Sequence, residues 1–161
     1  MAAVDARRLL GAWELTRWSV ETPDGEVREP FGPDARGLMV FSRDGWVVIT
    51  LIASDRPGLP RGPARRASLA ARAAAFESII NYCCRWRLVG DSVELRVVLA
   101  QNPAMEGTVQ MRRVSLRGQV LTTESIEPRP DGPRRHRLRW RPAGSERPRR
   151  PVQRRGRTSS T

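Results

Sequence analysis

The feature that most restricts this chain is a succession of short runs with apolar residues at every second position, each cut off by a Gly, Pro or Asp turn. Period-two alternation puts successive side chains on opposite faces, which describes a half-buried strand and not a helix. The clearest pair is 37–42 (Leu38, Met39, Val40, Phe41) and 45–53 (Trp46 to Ile52), joined across Arg43-Asp44-Gly45. An Asp-Gly turn between two β-rich runs is among the best local signals of a hairpin.

The same grammar continues downstream. Residues 81–89 set Tyr82, Cys84, Trp86 and Leu88 against Cys83, Arg85 and Arg87. After Gly90-Asp91, residues 92–100 set Val93, Leu95, Val97 and Leu99 against Glu94 and Arg96. Residues 107–116 place Thr108, Gln110, Arg112 and Val114 on one face, and Arg117-Gly118 turns them into 119–126. The final run, 134–141, is the most regular: His136, Leu138 and Trp140 on one side, Arg135, Arg137, Arg139 and Arg141 on the other.

Upstream, residues 4–10 suit a short helical lead-in, and 11–21 form the first strand, opening with Gly11-Ala12-Trp13. Trp13 and Leu15 share parity but Trp18 does not, which predicts a bulge between them. Pro23-Asp24-Gly25 is a turn, and 27–31 a brief return. Residues 54–66 hold three Pro, two Gly and four Arg without periodicity and read as a loop. Residues 68–80 are the one helical stretch, with Ser68 as N-cap and Leu69, Ala73, Phe76 and Ile80 on one face. That face is expected to pack as a lid on one open end, with Glu77 solvated.

Tight turns and no βαβ alternation give an all-β, antiparallel, up-and-down sheet of eight or nine strands with one inserted helix. Such a sheet removes its edges by closing. Eight strands enclose an interior just wide enough for side chains or one small ligand. Trp13 is expected to plug one end. Residues 1–141 are read as the barrel domain and 142–161 as a disordered Arg/Pro-rich tail, because the tail has almost nothing to bury.

Charge argues against a nucleic-acid protein. The net charge is +12, and all 29 cationic residues are Arg. Residues 128–161 hold twelve Arg against Asp131 and Glu146, so they carry +10 and leave only +2 for residues 1–127. The tail lacks interleaved aromatics, so any nucleic-acid contact through it is expected to be non-specific. No apolar run reaches the roughly 20 residues that span a bilayer. The N-terminus has no signal-peptide pattern, and the expected location is cytoplasmic. A homodimer is left open. Cys83 and Cys84 are adjacent, without a CxxC set, and read as small apolar residues on a strand. No metal site and no cofactor are expected.

An ordered set of segments resembles the bacterial lipocalin-like domain family: Leu10-Gly11-Ala12-Trp13-Glu14-Leu15, Pro30-Phe31-Gly32-Pro33-Asp34-Ala35-Arg36-Gly37-Leu38, Asp44-Gly45-Trp46, Ala74-Ala75-Phe76-Glu77, Tyr82-x-x-Arg85-Trp86, Asn102-Pro103, 107–113 and Leu138-Arg139-Trp140-Arg141. The resemblance runs from about residue 9 to 141. It implies a lipocalin-like barrel with a cavity, and a place for some members in pathways that make polyketide-type or other hydrophobic metabolites. Two departures stand out. Leu95 and Arg96 occupy places where the family often carries His, and Cys84 replaces a usual Gly.

By parity the lumen set is Trp13, Tyr82, Cys84, Trp86, Leu95, Val97, Gln110, Arg112, His136, Leu138 and Trp140, with Trp46 counted among the ligand-binding residues. Gly11 and Trp13 are structural. Tyr82, Arg112 and His136 are the candidate catalytic groups. His136 is the lone His and Tyr82 the lone Tyr, and each also has an ordinary reading as a hydrogen-bonded wall residue. Arg112 cannot face an apolar lumen bare. It is either paired with Glu14 or Glu94 or kept for an anionic ligand. Arg141 or Arg112 is a candidate to stack on Trp13. One His and no nucleophile elbow leave no Ser-His-Asp triad. The first functional reading is a barrel that binds a small hydrophobic, polyketide-like or aromatic molecule. The alternative is a cofactor-free cyclase, isomerase or dehydratase acting on a hydrophobic biosynthetic intermediate.

Overall fold

A computed structural model describes residues 4–145. The strands are β1 (Gly11–Glu21), β2 (Val27–Arg28), β3 (Arg36–Phe41), β4 (Trp46–Ile52), β5 (Ile79–Val89), β6 (Ser92–Ala100), β7 (Val109–Arg117), β8 (Val120–Glu127) and β9 (Arg134–Pro142), with one helix, α1 (Leu69–Glu77). Every neighbouring pair is antiparallel, and β9 pairs back onto β1. Eight strands therefore close the barrel, and β2 adds a short flap on β1 beside the ring. Closure leaves no long unpaired edge.

The local reasons are those of the turns and the pleat. In the β3–β4 hairpin Gly45 takes φ +83°, a left-handed conformation that costs glycine nothing, and Ser42 N–H donates to Trp46 O at 2.8 Å. Gly37 is required by crowding. A Cβ there would meet Leu51 Cδ2 at 2.8 Å and Leu15 Cβ at 2.9 Å, where β3 crosses close over β1 and β4. The bulge in β1 falls between Leu15 and Arg17, opposite Trp140 and Arg139 of β9. It turns Trp18 onto the same inner face as Trp13 and Leu15, all three buried.

A second bulge, in β6, corrects the alternation read for that strand. Cys83 pairs with Leu99 and Cys84 with Val97, so Val98 is the extra residue. Val93, Leu95 and Val97 stay inside, but Leu99 is thrown outward to 61 % exposure.

The helix is also shorter than its apolar run. Ser68 caps it, its Oγ accepting from Ala71 N–H at 3.2 Å, but the helix ends at Glu77. Ile79 and Ile80, read as its last turn, instead pair with Ile52 and Leu51 as the start of β5. Two β-branched residues are worth more to a sheet that buries them than to a frayed helix end. The face that meets the barrel is centred on Ala75, whereas Leu69 and Phe76 are 77 % and 49 % exposed. The return read over 27–31 is paired only at Val27 and Arg28.

The core lies inside the ring and is densest at the end where β1 begins. A single 3-10 turn, Ala6–Arg8, capped by Asp5, brings Leu9 over that end, and Trp13 Nε1–H donates to Leu9 O at 2.8 Å. Gly11, with φ +112°, is the joint between this turn and β1. Of the residues expected to form a tail, Pro142 still pairs with Trp13, and Ala143 N–H donates to Ala12 O at 2.9 Å. Glu146–Thr161, the rest of that segment, lie outside the described residues.

Candidate functional site

The barrel contains a cavity of about 850 Å³. That is room for a drug-sized molecule, since ligand pockets run from about 300 to 1,000 Å³. Its walls are mainly apolar, including Met39, Ile49 and Leu51 from β3 and β4, Leu95 from β6 and Leu138 from β9. Trp140 stands on the wall toward the closed end, its Nε1–H donating to Thr123 Oγ1 at 3.1 Å. Around the mouth lie Pro30, Phe76 and Glu77 from the lid side, Asn102 and Met105 from the β6–β7 loop, and 126–129 from the β8–β9 loop. Gln101 Nε2 donates to Phe76 O at 2.8 Å and ties the end of α1 to that rim.

Of the residues read as lumen-facing, Tyr82, Leu95, Gln110, Arg112, His136, Leu138 and Trp140 border this cavity. Four do not. Trp46 has the wrong parity, because Val47, Ile49 and Leu51 are the inward residues of β4, and its ring lies under the Arg85 guanidinium at 4.8 Å. Trp86 packs edge-on against Phe41 at 4.9 Å and donates to Ser42 O at 3.3 Å. Cys84 and Val97 do point inward, but they are sealed in packed core away from the open volume. Burial pushes the Cys84 thiol up to about 12, so it stays protonated and unreactive at neutral pH.

Two polar groups interrupt the apolar wall. In the first, Arg112 Nη2 donates to Gln110 Oε1 at 2.6 Å and Nη1 to Met111 O at 3.3 Å. Its charge also acts on the Tyr82 hydroxyl and on Cys84, both inside the ring. Burial raises the Tyr82 pKa, and the nearby guanidinium only partly offsets that, so the phenol stays neutral and can donate. The expected partners of Arg112 are engaged elsewhere. Glu94 takes Arg87 in a two-bond fork at 2.9 and 2.7 Å, and Glu14 lies 3.6 Å from Arg141. The Trp13 indole N–H is fixed on Leu9 O, and Arg85 stacks over another indole, that of Trp46.

The second group is at the mouth. Trp18 Nε1–H points at His136 Nδ1 at 3.4 Å, and His136 Nε2 lies 3.1 Å from Glu127 Oε2. An indole donor on Nδ1 assigns the neutral ring's proton to Nε2, which then donates to the carboxylate. Glu127 Oε1 also meets Arg129 at 2.9 Å. Burial works to raise the Glu127 carboxyl, but the bonds from His136 and Arg129 outweigh it and hold it below the usual range. Trp18, Glu127 and Arg129 were not read as site residues. A signal for Glu127 did exist. In the β8–β9 hairpin Ser125 pairs with His136, so Glu127, two residues on, lies on the same face.

Residues 10–143 match the model of the lipocalin-like domain family. The chain belongs to that family. A comparison with curated proteins finds no match. As a family barrel, it shares an architecture in which closed strands surround an interior able to accept a hydrophobic guest. Among the described residues no helix is long and apolar enough to cross a membrane. Nor, among them, do three His, Cys, Asp or Glu side chains group as a metal ion would need.

Proposed function

We propose that this lipocalin-like barrel binds one small hydrophobic molecule, of polyketide-like or aromatic type, in its central cavity. The observation that carries the reading is the cavity itself: about 850 Å³, walled mainly by apolar side chains and bordered by the end of α1. Burial of a guest's apolar surface, at about 25 cal/mol per Å², would drive binding. A cytoplasmic role in secondary metabolism belongs to the same proposal and rests on the sequence resemblance.

Cofactor-free catalysis is the competing reading, with Tyr82, Arg112 and His136 as its groups. All three border one cavity, but only Tyr82 and Arg112 act on each other. His136 has both ring nitrogens engaged, by Trp18 and Glu127. A general base needs a free lone pair within reach of the proton it removes. Binding is therefore the reading we put first.

The test is a titration with N-phenyl-1-naphthylamine, a neutral fluorescent apolar probe. Saturable binding of one probe per chain is expected, with loss in Leu95→Trp, which fills the cavity from its wall. Absence of binding to the wild-type protein, or binding undisturbed by Leu95→Trp, overturns the proposal.

A further inference from the structure

Arg112 is an anomaly in its own barrel. Three outward-facing arginines on the same sheet have carboxylate partners: Arg113, its neighbour in sequence, meets Asp91 at 2.9 Å, Arg87 meets Glu94 and Arg137 meets Glu124. Arg112 is half-buried, borders the cavity, and among the described residues has no carboxylate within the 4.0 Å of an ion pair. Its observed acceptors are an amide oxygen and a backbone carbonyl, which orient the guanidinium without cancelling its charge. Of the two carboxylates on the mouth side of the same cavity, Glu127 is already shared by Arg129 and His136, and Glu77, at the end of α1, makes no ion pair with Arg112. A positive charge in an apolar enclosure is costly unless something neutralises it.

The surroundings define what that something is. Arg112 lies on β7 between Gln110 and buried Val114, opposite Val93 of β6. A planar guanidinium presents donors in a fork that fits a carboxylate, and the Tyr82 hydroxyl adds a neutral donor beside it. Leu95, Ile49 and Leu51 supply apolar wall in the same cavity. An anionic head would meet these donors, while a hydrocarbon or aromatic body fills the lipophilic space beside them.

We propose that Arg112, with Tyr82 beside it and Gln110 holding its fork, is a carboxylate-binding subsite, so that the guest is an apolar acid held by its carboxylate. This inference rests on the reading of the cavity as a guest site. Its test separates the two. Decanoate and 2-naphthoate, and the methyl esters of each, are used to displace N-phenyl-1-naphthylamine at pH 7.5. A charged hydrogen bond contributes enough that each acid should displace the probe at concentrations about tenfold or more below its ester. In Arg112→Met that ratio should fall to within about twofold of unity, and Arg112→Lys should restore part of it. Circular dichroism confirms that the variants fold. Should Arg112→Met fail to fold, the acid-to-ester ratio of the wild-type protein decides by itself. Equal displacement by acids and esters while the probe binds overturns the subsite and leaves the cavity reading standing. Failure of the wild-type protein to bind probe, acids or esters overturns both.

Discussion

At the closed end of the barrel Phe41 meets Trp86 edge-on at 4.9 Å, and the two nearby indoles, Trp13 and Trp86, donate to backbone carbonyls, Leu9 O and Ser42 O. At the open end Trp18 meets Phe31 at the same 4.9 Å, but its N–H goes to a titratable side chain, His136, which is itself tied to a half-exposed carboxylate. The aromatic packing is alike and the polar partner differs. A backbone acceptor keeps its charge at every pH and moves only if the fold moves. A carboxylate such as Glu127 can take up a proton in acid while the strands stay paired. The first arrangement therefore fixes a plug, and the second leaves a rim that responds to its surroundings.

The largest expected effect tests the plug. Trp13→Ala should lower stability by about 3–5 kcal/mol in urea denaturation, the usual cost of deleting a large buried aromatic. A loss below about 1 kcal/mol would mean that Trp13 closes nothing. Next, Thr123→Val removes the acceptor of the buried Trp140 N–H. It should cost about 1–3 kcal/mol, the penalty of stranding a buried donor. A neutral result would show that a water reaches Trp140 from the cavity.

At the mouth the same measurements should barely respond. Phe76→Ala, at a half-exposed position on α1, should change stability by under about 0.5 kcal/mol while altering the probe's dissociation rate in stopped-flow fluorescence. A stability loss like that of Trp13→Ala would erase the distinction between the two ends. The smallest effect concerns pH. The Glu127 carboxyl is held below its ordinary 4.5, so its contribution to stability is complete above that value and fades as acid protonates it through its lower folded value. Glu127→Gln should therefore lower stability slightly at neutral pH and flatten the acid limb of the stability–pH curve, where the two proteins converge. An unchanged acid limb would sever the carboxylate from the rim.

Much of the barrel was legible in the chain because its cues are local. The Asp44-Gly45 hairpin, the alternation of β5, β7 and β9, the break before Trp18 and the Ser68 cap each depend on a few neighbouring residues. What was not legible depended on sums along the chain. One extra residue at Val98 reverses the faces of β6, so Leu99 leaves the interior although its parity places it there. Ile79 and Ile80 look like a continuation of the alanine-rich helix until Leu51 and Ile52 offer them a sheet. Trp46 misled because it begins a strand whose inward face is set by Val47.

The amino-acid order alone determined an antiparallel closed sheet, its turns, its tryptophan-plugged end and the inward parity of Tyr82, Arg112 and His136, because alternation and turn chemistry act within a few residues. Only the tertiary structure decided that Arg112 lacks a carboxylate, that Glu127 reaches His136, and that the cavity stops short of Cys84 and Val97. Ion pairing and open volume depend on which strands become neighbours and at what register, and no stretch of chain carries that information by itself.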